Sequence, residues 1–468
     1  MKLSAGLFKK YDIRGVAMGE KAVLTREAAY LIGHGIGTYL QRIEKQTRVV
    51  VGRDNRHSSF ELQDQLMEGL KRSGCKIIDI GLVSTPLVYW HAVNNGNIGG
   101  VMVTGSHLSR EYNGFKLSVG SRNIYDTSLQ KIAQMIEDND FTYGDSAGDV
   151  MVENSAYSQY IHDLETRVTI KRPLKVVIDP GNGTGGLFAP RLMHLWGLDV
   201  TGIFIEPDGD YPNHQPDPSD ERNLKDLSAK VLEIGADIGI AFDGDADRMG
   251  AVDEKGQPIA ADRLLAMLAQ DMLKRHPGAI VIGDVLCSQV LFDAVKTAGG
   301  VPLMAASGHS IVKDAMRTHH ALLGGEQSGH IFLGEDYFGF DDAYLVAGRL
   351  IQLIANGSHT LSELDNQLPR LYSTPEYRPH CPDNEKANVI RAVRDMLQHA
   401  GEVNDVDGVR VQFAEGWGLL RASNTEPVLS LRFEATTREH ALAYRDAFAR
   451  ALANFPHVEP FGDSQPSS

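Results

Sequence analysis

Phe242-Asp243-Gly244-Asp245-Ala246-Asp247-Arg248 is the stretch that organises the chain, and the apolar run Ile238-Gly239-Ile240-Ala241-Phe242 that leads into it reads as a buried strand. Alternate side chains of an extended segment share a face, so Asp243, Asp245 and Asp247 can converge. Three convergent carboxylates suit a hard divalent cation; Mg²⁺ prefers oxygen ligands and leaves positions for water or a phosphate oxygen. The plainer reading is an acidic surface turn, but solvated turns rarely sit directly on an apolar strand.

A second strand-loop unit supplies a nucleophile. Gly99-Gly100-Val101-Met102-Val103-Thr104 reads as a buried strand ending in Gly105-Ser106-His107, with Asn113-Gly114-Phe115-Lys116 a few residues on. A serine beside glycine at the C-terminal end of an apolar strand is well placed to face a cleft. Lys116 can neutralise a phosphate or move a proton. Ser106 could instead cap a helix, and a Ser-His-Asp hydrolase lacks the Gly-x-Ser-x-Gly elbow it would need here. Two polar loops add to the pattern: Gly324-Gly325-Glu326-Gln327-Ser328-Gly329-His330 and Arg421-Ala422-Ser423-Asn424-Thr425-Glu426-Pro427. The first offers groups that can hydrogen-bond a sugar. The second clusters donors suited to a phosphate monoester, with arginine as a fork.

Working outward, strands alternate with amphipathic helices over about three quarters of the chain, which is α/β patterning. Val49-Val50-Val51 precedes a helix with a capping-box start at Ser58 and Glu61. Val176-Val177-Ile178 leads into Gly181-Asn182-Gly183-Thr184-Gly185-Gly186, which lacks the Lys-Ser/Thr ending of a P-loop and reads as a tight strand-to-helix turn. Ile280-Val281-Ile282 precedes a helix opening near Ser288. Three times a β-branched strand meets a glycine-and-acid loop, at irregular spacing, and a later apolar run ends near Ser106, Asp243 or Glu326. After Thr360, itself paired with Glu363 as a capping box, the pattern becomes a small α+β unit. Its elements are a helix near 384–399, strands around 409–413 and 428–433, and a last helix from about Arg438.

The chain has 468 residues, a formal net charge of −15 and three cysteines, Cys75, Cys287 and Cys381. That length suggests three or four domains. The acidity argues against nonspecific nucleic-acid binding, while Arg14, Lys116, Arg248 and Arg421 could still form a local basic pocket. No apolar run approaches the roughly 20 residues that span a bilayer. The N-terminus lacks a secretory apolar stretch and the cysteines lack metal-ligand spacing, so a cytoplasmic protein is expected.

Taken together, Thr104-Gly105-Ser106-His107, the loop 243–248, residues 325–330 and residues 421–427 resemble the α-D-phosphohexomutases, with the bacterial phosphomannomutase/phosphoglucomutase group as the nearest match. The resemblance runs from Tyr11-Asp12-Ile13-Arg14-Gly15 to Leu431-Arg432-Phe433-Glu434. It implies three related α/β domains followed by a smaller α+β C-terminal domain around a central cleft, with limits at 1–150, 151–256, 257–368 and 369–468. It also implies a phosphate carried on Ser106, and one Mg²⁺ held by Asp243, Asp245, Asp247 and a phosphoserine oxygen. Lys116 and His330 match the acid/base positions, and Arg248 joins them in the catalytic set. His107 and His309 are weaker contenders for proton transfer. Substrate contacts fall on Tyr11, Arg14, His309, Glu326, Ser328, Arg421, Ser423, Asn424 and Thr425. The implied reaction interconverts hexose 1-phosphate and hexose 6-phosphate of mannose or glucose through a hexose 1,6-bisphosphate. The C-terminal domain is expected to close by rotation, with sugar phosphates as partners, no nucleic acid, no membrane, and a monomer or weak homodimer.

Three positions depart from the family pattern. Leu108-Ser109 stands where Asn-Pro is usual, Leu286 where close relatives tend to have lysine, and Gln327 where methionine is expected. Gln327 also occurs in phosphoglucosamine mutases, whereas Ala246 and Asn424 favour the mannose/glucose group. Phosphoglucosamine mutase and a non-catalytic sugar-phosphate-binding protein stay open as alternatives.

Overall fold

The computed structural model describes residues 3–144, 148–423 and 427–461. Its first three sheets share one plan: a central strand lies between two parallel neighbours, and one neighbour turns back through a loop into an antiparallel strand. In the first sheet Arg48–Arg53 lies between Lys76–Leu82 and Gly99–Val103, and Gly99–Val103 pairs antiparallel with Tyr112–Val119. In the second, Lys175–Asp179 lies between Asp199–Gly202 and Ile238–Phe242, which pairs with Met249–Asp253. In the third, Ile280–Asp284 lies between Val301–Ala305 and Leu323–Gly325, which pairs with Ile331–Leu333. The repeat that the sequence only hints at is therefore a repeat of strand order. It places the Ser106, Asp243 and Glu326 loops at the C-terminal ends of equivalent strands, where α/β sheets bind ligands.

Both faces of these strands are covered, which explains their unbroken apolar runs. Val49, Val51, Val101 and Val103 pack with Ile32, Ile36 and Leu66 in a core that belongs to the first domain. Val50 and Met102, one residue out of phase, face a different core. That core continues through Val176, Ile178, Ile240 and Phe242 to Val281, Tyr344 and Leu350. One shared core thus lies among three domains. Burying a Val, Leu or Ile side chain fully contributes about 1.5–3 kcal/mol, so the domains hold one another in place through many such residues. A polar link crosses the same junction: Ser84 Oγ donates to Thr184 Oγ1 at 3.0 Å and lies 2.6 Å from the Tyr344 hydroxyl.

The fourth unit is an antiparallel sheet of Tyr372–Ser373, Leu429–Ala435, Gly416–Ala422, Val409–Phe413 and Glu402–Asn404, in that order. Helices Asp383–Leu397 and Arg438–Leu452 cover it, and Val389, Val393, Phe433 and Phe448 give it a core of its own. Its seam with the third domain combines apolar packing and charge. Leu286, where a lysine would be basic, packs against the apolar patch of Val285, Trp417 and Leu419. Arg410 donates to Val285 O at 2.7 Å and Cys287 O at 2.9 Å, and its guanidinium lies 3.9 Å from the Trp417 ring centre. Glu434 accepts from Ser288 Oγ and Gln289 N, both at 3.0 Å, at the start of helix Gln289–Thr297. A carboxylate there is favoured by the helix dipole.

Two local expectations need correction. Ser58 forms no capping box; its hydroxyl accepts from Asn113 Nδ2 at 2.8 Å, so a tertiary partner has taken it. Strand Gly416–Ala422, unread in the sequence, is the middle of the C-terminal sheet. The box at Thr360 and Glu363 is present, and Gly185–Leu195 begins a helix directly after the glycine-rich turn. No helix among the described residues is long and apolar enough to cross a membrane.

Candidate active site

Ser106 sits in the left-handed region, at φ 50°. A non-glycine residue held there is strained by about 1–3 kcal/mol and persists only when its surroundings fix it. Here they do. Thr104 Oγ1 accepts from Ser106 N at 2.8 Å, and Arg56 Nη2 donates to Ser106 O at 2.6 Å. The Ser106 hydroxyl donates to Asp243 Oδ2 at 2.8 Å and lies 3.2 Å from His107 Nδ1.

Asp243, Asp245 and Asp247 converge as the alternation predicts: one carboxylate oxygen of each lies within 4.8 Å of the others, and all three are buried. The loop is clamped from several sides. Asp243 Oδ1 accepts from Asp247 N at 3.0 Å and Arg248 N at 3.1 Å. Thr85 Oγ1 of the first domain donates to Asp245 Oδ2 at 2.5 Å, and Thr85 N to Asp245 O at 3.0 Å. Thr184 N of the glycine-rich turn donates to Gly244 O at 3.0 Å. Lys116 Nζ donates to Asp245 Oδ2 at 2.6 Å and to Asp247 Oδ2. Burial opposes its charge, but Asp245 and Asp247 outweigh burial and raise its pKa well above the usual lysine range. Burial, with Asp245 and Asp247 beside it, pushes Asp243 up to about 7. Arg248 contacts Asp243 Oδ2 and Asp217 Oδ1 at 3.3 and 3.2 Å.

The donor set fits Mg²⁺. It is all oxygen, and Asp245 Oδ1 and Asp247 Oδ1 are buried with no hydrogen-bond partner among the described residues. Such atoms are costly unless something binds them.

Across the cleft, His330 Nδ1 lies 2.9 Å from Asp341 Oδ2 and 3.7 Å from Asp247 Oδ1. Burial lowers its pKa, yet Asp247 and Asp341 prevail and raise it. His309, stacked on His330 with ring centres 5.3 Å apart, is shifted the other way by burial and by Lys313. Lys313 in turn donates to Asp341 Oδ1 at 2.7 Å. Glu326 Oε1 accepts from Gly308 N at 2.5 Å, and burial pushes its pKa up to about 7. Tyr11, Arg14, Ser106, His107, Lys116, His309 and His330 line a cleft of about 780 Å³.

The expected substrate residues are not all presented alike. Arg14 is paired with Asp12 at 2.5 Å. Arg421 is joined to Asp407 through Nε at 3.0 Å and Nη2 at 2.9 Å. Ser328 contributes its carbonyl, 3.4 Å from Arg248 Nη1, and Ser423 O accepts from Lys386 Nζ at 3.0 Å. Asn424 and Thr425 lie outside the described residues.

Sequence reading missed Arg56, Asp341, Lys313 and Asp407. Arg56, only 2% exposed, also donates to the carbonyls of Leu108 at 2.5 Å, Ser109 at 2.6 Å and Tyr112 at 3.0 Å. It thereby staples the loop in which Leu108-Ser109 replaces Asn-Pro. Its only local signal was the strand-end Gly52-Arg53-Asp54, since Asp54 Oδ2 pairs with Arg56 Nε at 3.2 Å.

The Ser106 hydroxyl and the buried carboxylate triad thus meet at one cleft, and Arg421 belongs to the fourth domain. Family models described as Phosphoglucomutase/phosphomannomutase, alpha/beta/alpha domains I, II and III match residues 5–143, 156–256 and 260–372. The model described as Phosphoglucomutase/phosphomannomutase, C-terminal domain matches residues 378–451. The chain is 42% identical over 451 residues to a phosphomannomutase/phosphoglucomutase of Pseudomonas aeruginosa, covering 96% of each protein. It is 40% identical over 460 residues to a phosphoglucomutase of Neisseria meningitidis, covering 97% of this chain and 98% of the relative. A crystal structure of a phosphoglucomutase/phosphomannomutase family protein from Burkholderia thailandensis superimposes with a TM-score of 0.91 at 38% identity, covering 98% of this chain and 100% of that one. The chain belongs to the phosphoglucomutase/phosphomannomutase family.

Proposed function

We propose that the chain interconverts hexose 1-phosphate and hexose 6-phosphate, of glucose, mannose or both, by way of a phosphoserine at Ser106 and a hexose 1,6-bisphosphate. The observation that carries this reading is the Ser106 hydroxyl 2.8 Å from Asp243, beside the buried triad to which Lys116 is joined. Asp243, Asp245 and Asp247 would hold Mg²⁺ together with a phosphoserine oxygen; when bound, the ion supplies neutralisation of the phosphoryl charge. Lys116 and Arg248 add positive charge on the protein side, which phosphoryl transfer needs more than covalent help.

In the first half-reaction the phosphorus–oxygen bond to Ser106 breaks as one to a sugar hydroxyl forms; in the second the phosphorus–oxygen bond at the other end of the bisphosphate breaks as one to Ser106 Oγ forms. In the first the sugar hydroxyl loses its proton and Ser106 Oγ gains one; in the second Ser106 Oγ gives up its proton and the departing sugar oxygen gains one. Lys116, held protonated by Asp245 and Asp247, is placed to return a proton on the Ser106 side. His330, oriented by Asp341, takes the proton from the attacking hydroxyl. Glu326 and Ser328 read sugar hydroxyls. Arg421, with Ser423, Asn424 and Thr425, anchors the unreacting phosphate, while Tyr11, Arg14 and His309 border the sugar.

The test is a coupled assay on the 1-phosphates of glucose, mannose and glucosamine, with intact-mass analysis. Turnover of the hexoses, loss of activity on chelation with recovery on adding Mg²⁺, and one phosphate mapping to Ser106 are expected. Ser106→Ala should abolish both the phosphate and turnover. Turnover of glucosamine 1-phosphate alone would move the assignment to that sugar. No 6-phosphate from any substrate would leave a sugar-phosphate-binding protein.

A further inference from the structure

Three polar interactions meet at Ser307 and Gly308, and they come from three domains. Tyr11 of the first domain donates its hydroxyl to Ser307 O at 2.7 Å. Glu326 of the third accepts from Gly308 N at 2.5 Å. Asp407 of the fourth accepts from Ser307 N at 3.2 Å through Oδ2, the same oxygen that receives Arg421 Nε and Nη2. The junction is sterically defined as well. Gly308 has φ +135°, and a Cβ there would lie 2.5 Å from Tyr11 Cζ. Gly408, next to Asp407, has φ +89°, and a Cβ there would lie 2.2 Å from Leu420 O and 2.8 Å from Arg421 Cα. The Asp407 turn is thus pressed against the Arg421 strand.

We propose that Asp407 is a positioning residue for the phosphate-binding arginine: it aims Arg421 and, through Ser307 N, fixes the C-terminal domain against the sugar side of the cleft. This rests on the mutase reading above. A fixed Nε–Nη2 edge leaves the guanidinium only one direction in which to meet a phosphate, and orienting a fork in advance reduces what binding must order. Ser307–Gly308 leads directly into helix His309–His319, so the phosphate grip is coupled to His309, its stacking partner His330, and Glu326. The competing reading is that the Asp407 carboxylate stands in for substrate phosphate and leaves when phosphate arrives. The two predict opposite signs.

The experiment uses the full chain with Asp407→Asn, Asp407→Ala and Asp407→Glu, after thermal melts show each variant folded. Calorimetric binding of glucose 1-phosphate is measured in the Ser106→Ala background, and KM and kcat in the Ser106 background. Spin labels on introduced surface cysteines report the distance between the first and fourth domains. Positioning predicts binding weakened about ten- to a hundredfold in the Asn and Ala variants, the scale of a charge-assisted hydrogen bond. It also predicts a KM increase larger than the fall in kcat, partial recovery with Glu, and a longer, broader interdomain distance without ligand. Tighter binding, or unchanged affinity with unchanged distances, would overturn it. If the wild type bound and converted no hexose phosphate, the mutase reading would fail, whereas the ligand-free distances would still decide whether Asp407 fixes the domain.

Discussion

Replacing Arg56 by methionine tests whether the serine loop is held by one side chain. The strain of Ser106 at φ 50° is about 1–3 kcal/mol. Against it stand four backbone carbonyls, of Ser106, Leu108, Ser109 and Tyr112, all served by the Arg56 guanidinium. Each charge-assisted hydrogen bond is worth about 1.5–3 kcal/mol net, and the bonds are not additive. Removing the guanidinium also leaves Asp54 buried without its cation, a loss of about 3–5 kcal/mol when one partner of a buried pair is deleted. The first figure is comparable to the strain and the second matches or exceeds it, so the loop should relax out of its positive-φ geometry in Arg56→Met. Arg56→Lys keeps the charge but cannot fork to four carbonyls, so it should fall between. Hydrogen exchange of a peptide spanning 104–112, read by mass spectrometry, should lose protection in the order wild type, Lys, Met. The phosphorylated fraction and kcat should fall in the same order, with Met at least about tenfold down, since 1.4 kcal/mol is a factor of ten. Unchanged protection of the loop in Arg56→Met, with kcat within twofold of wild type, would refute the argument.

Gly308→Ala should break the contact of Tyr11 with Ser307 O, because the added methyl meets the Tyr11 ring and the backbone there resists a side chain. KM for hexose 1-phosphates should rise severalfold, more than in Tyr11→Phe, and steady-state kinetics of both variants checks the order. Asp342 gives a pH signature: burial raises its pKa from the ordinary 3.8 to about 6, against the donors Tyr337 and Tyr160. Its raised folded pKa stabilises the protein at low pH, and that contribution is lost as pH rises through about 6. Asp342→Asn lacks the titration, so its melting temperature relative to wild type should rise between pH 5 and 7; a flat difference would contradict the assignment.

What the sequence revealed tracks how local the physics is. Strand Ile238–Phe242 and the aspartates after it were readable because a buried run and a period of two are properties of neighbouring residues. The helix N-termini show the boundary. The Thr360 box forms because Glu363 is its own partner, but the same pattern at Ser58 was claimed by Asn113 across the sheet. Arg56 was silent because its meaning lies some fifty residues away in the serine loop. Asp341 gained its role only when its strand-end loop met His330 and Lys313, and Asp407 only across a domain seam. The threefold repeat was faint in sequence because what recurs is strand order, which tolerates loops of different length.

The core shared among the first three domains has a consequence for synthesis. One face of the first sheet, with Val50 and Met102, is completed by residues as late as Tyr344 and Leu350. At about 5–20 residues per second, the roughly two hundred residues between the end of the first domain and that helix take about 10–40 s to emerge. Throughout that interval the sheet face is covered by the first domain's own helix Thr85–Asn94, whose Leu87, Val88, Tyr89 and Trp90 belong to the same core, while the outer side of that apolar helix waits for its partners. The C-terminal domain, whose core is its own, has no such wait. The interval in which that helix's outer side is exposed falls in the middle of translation rather than at its end.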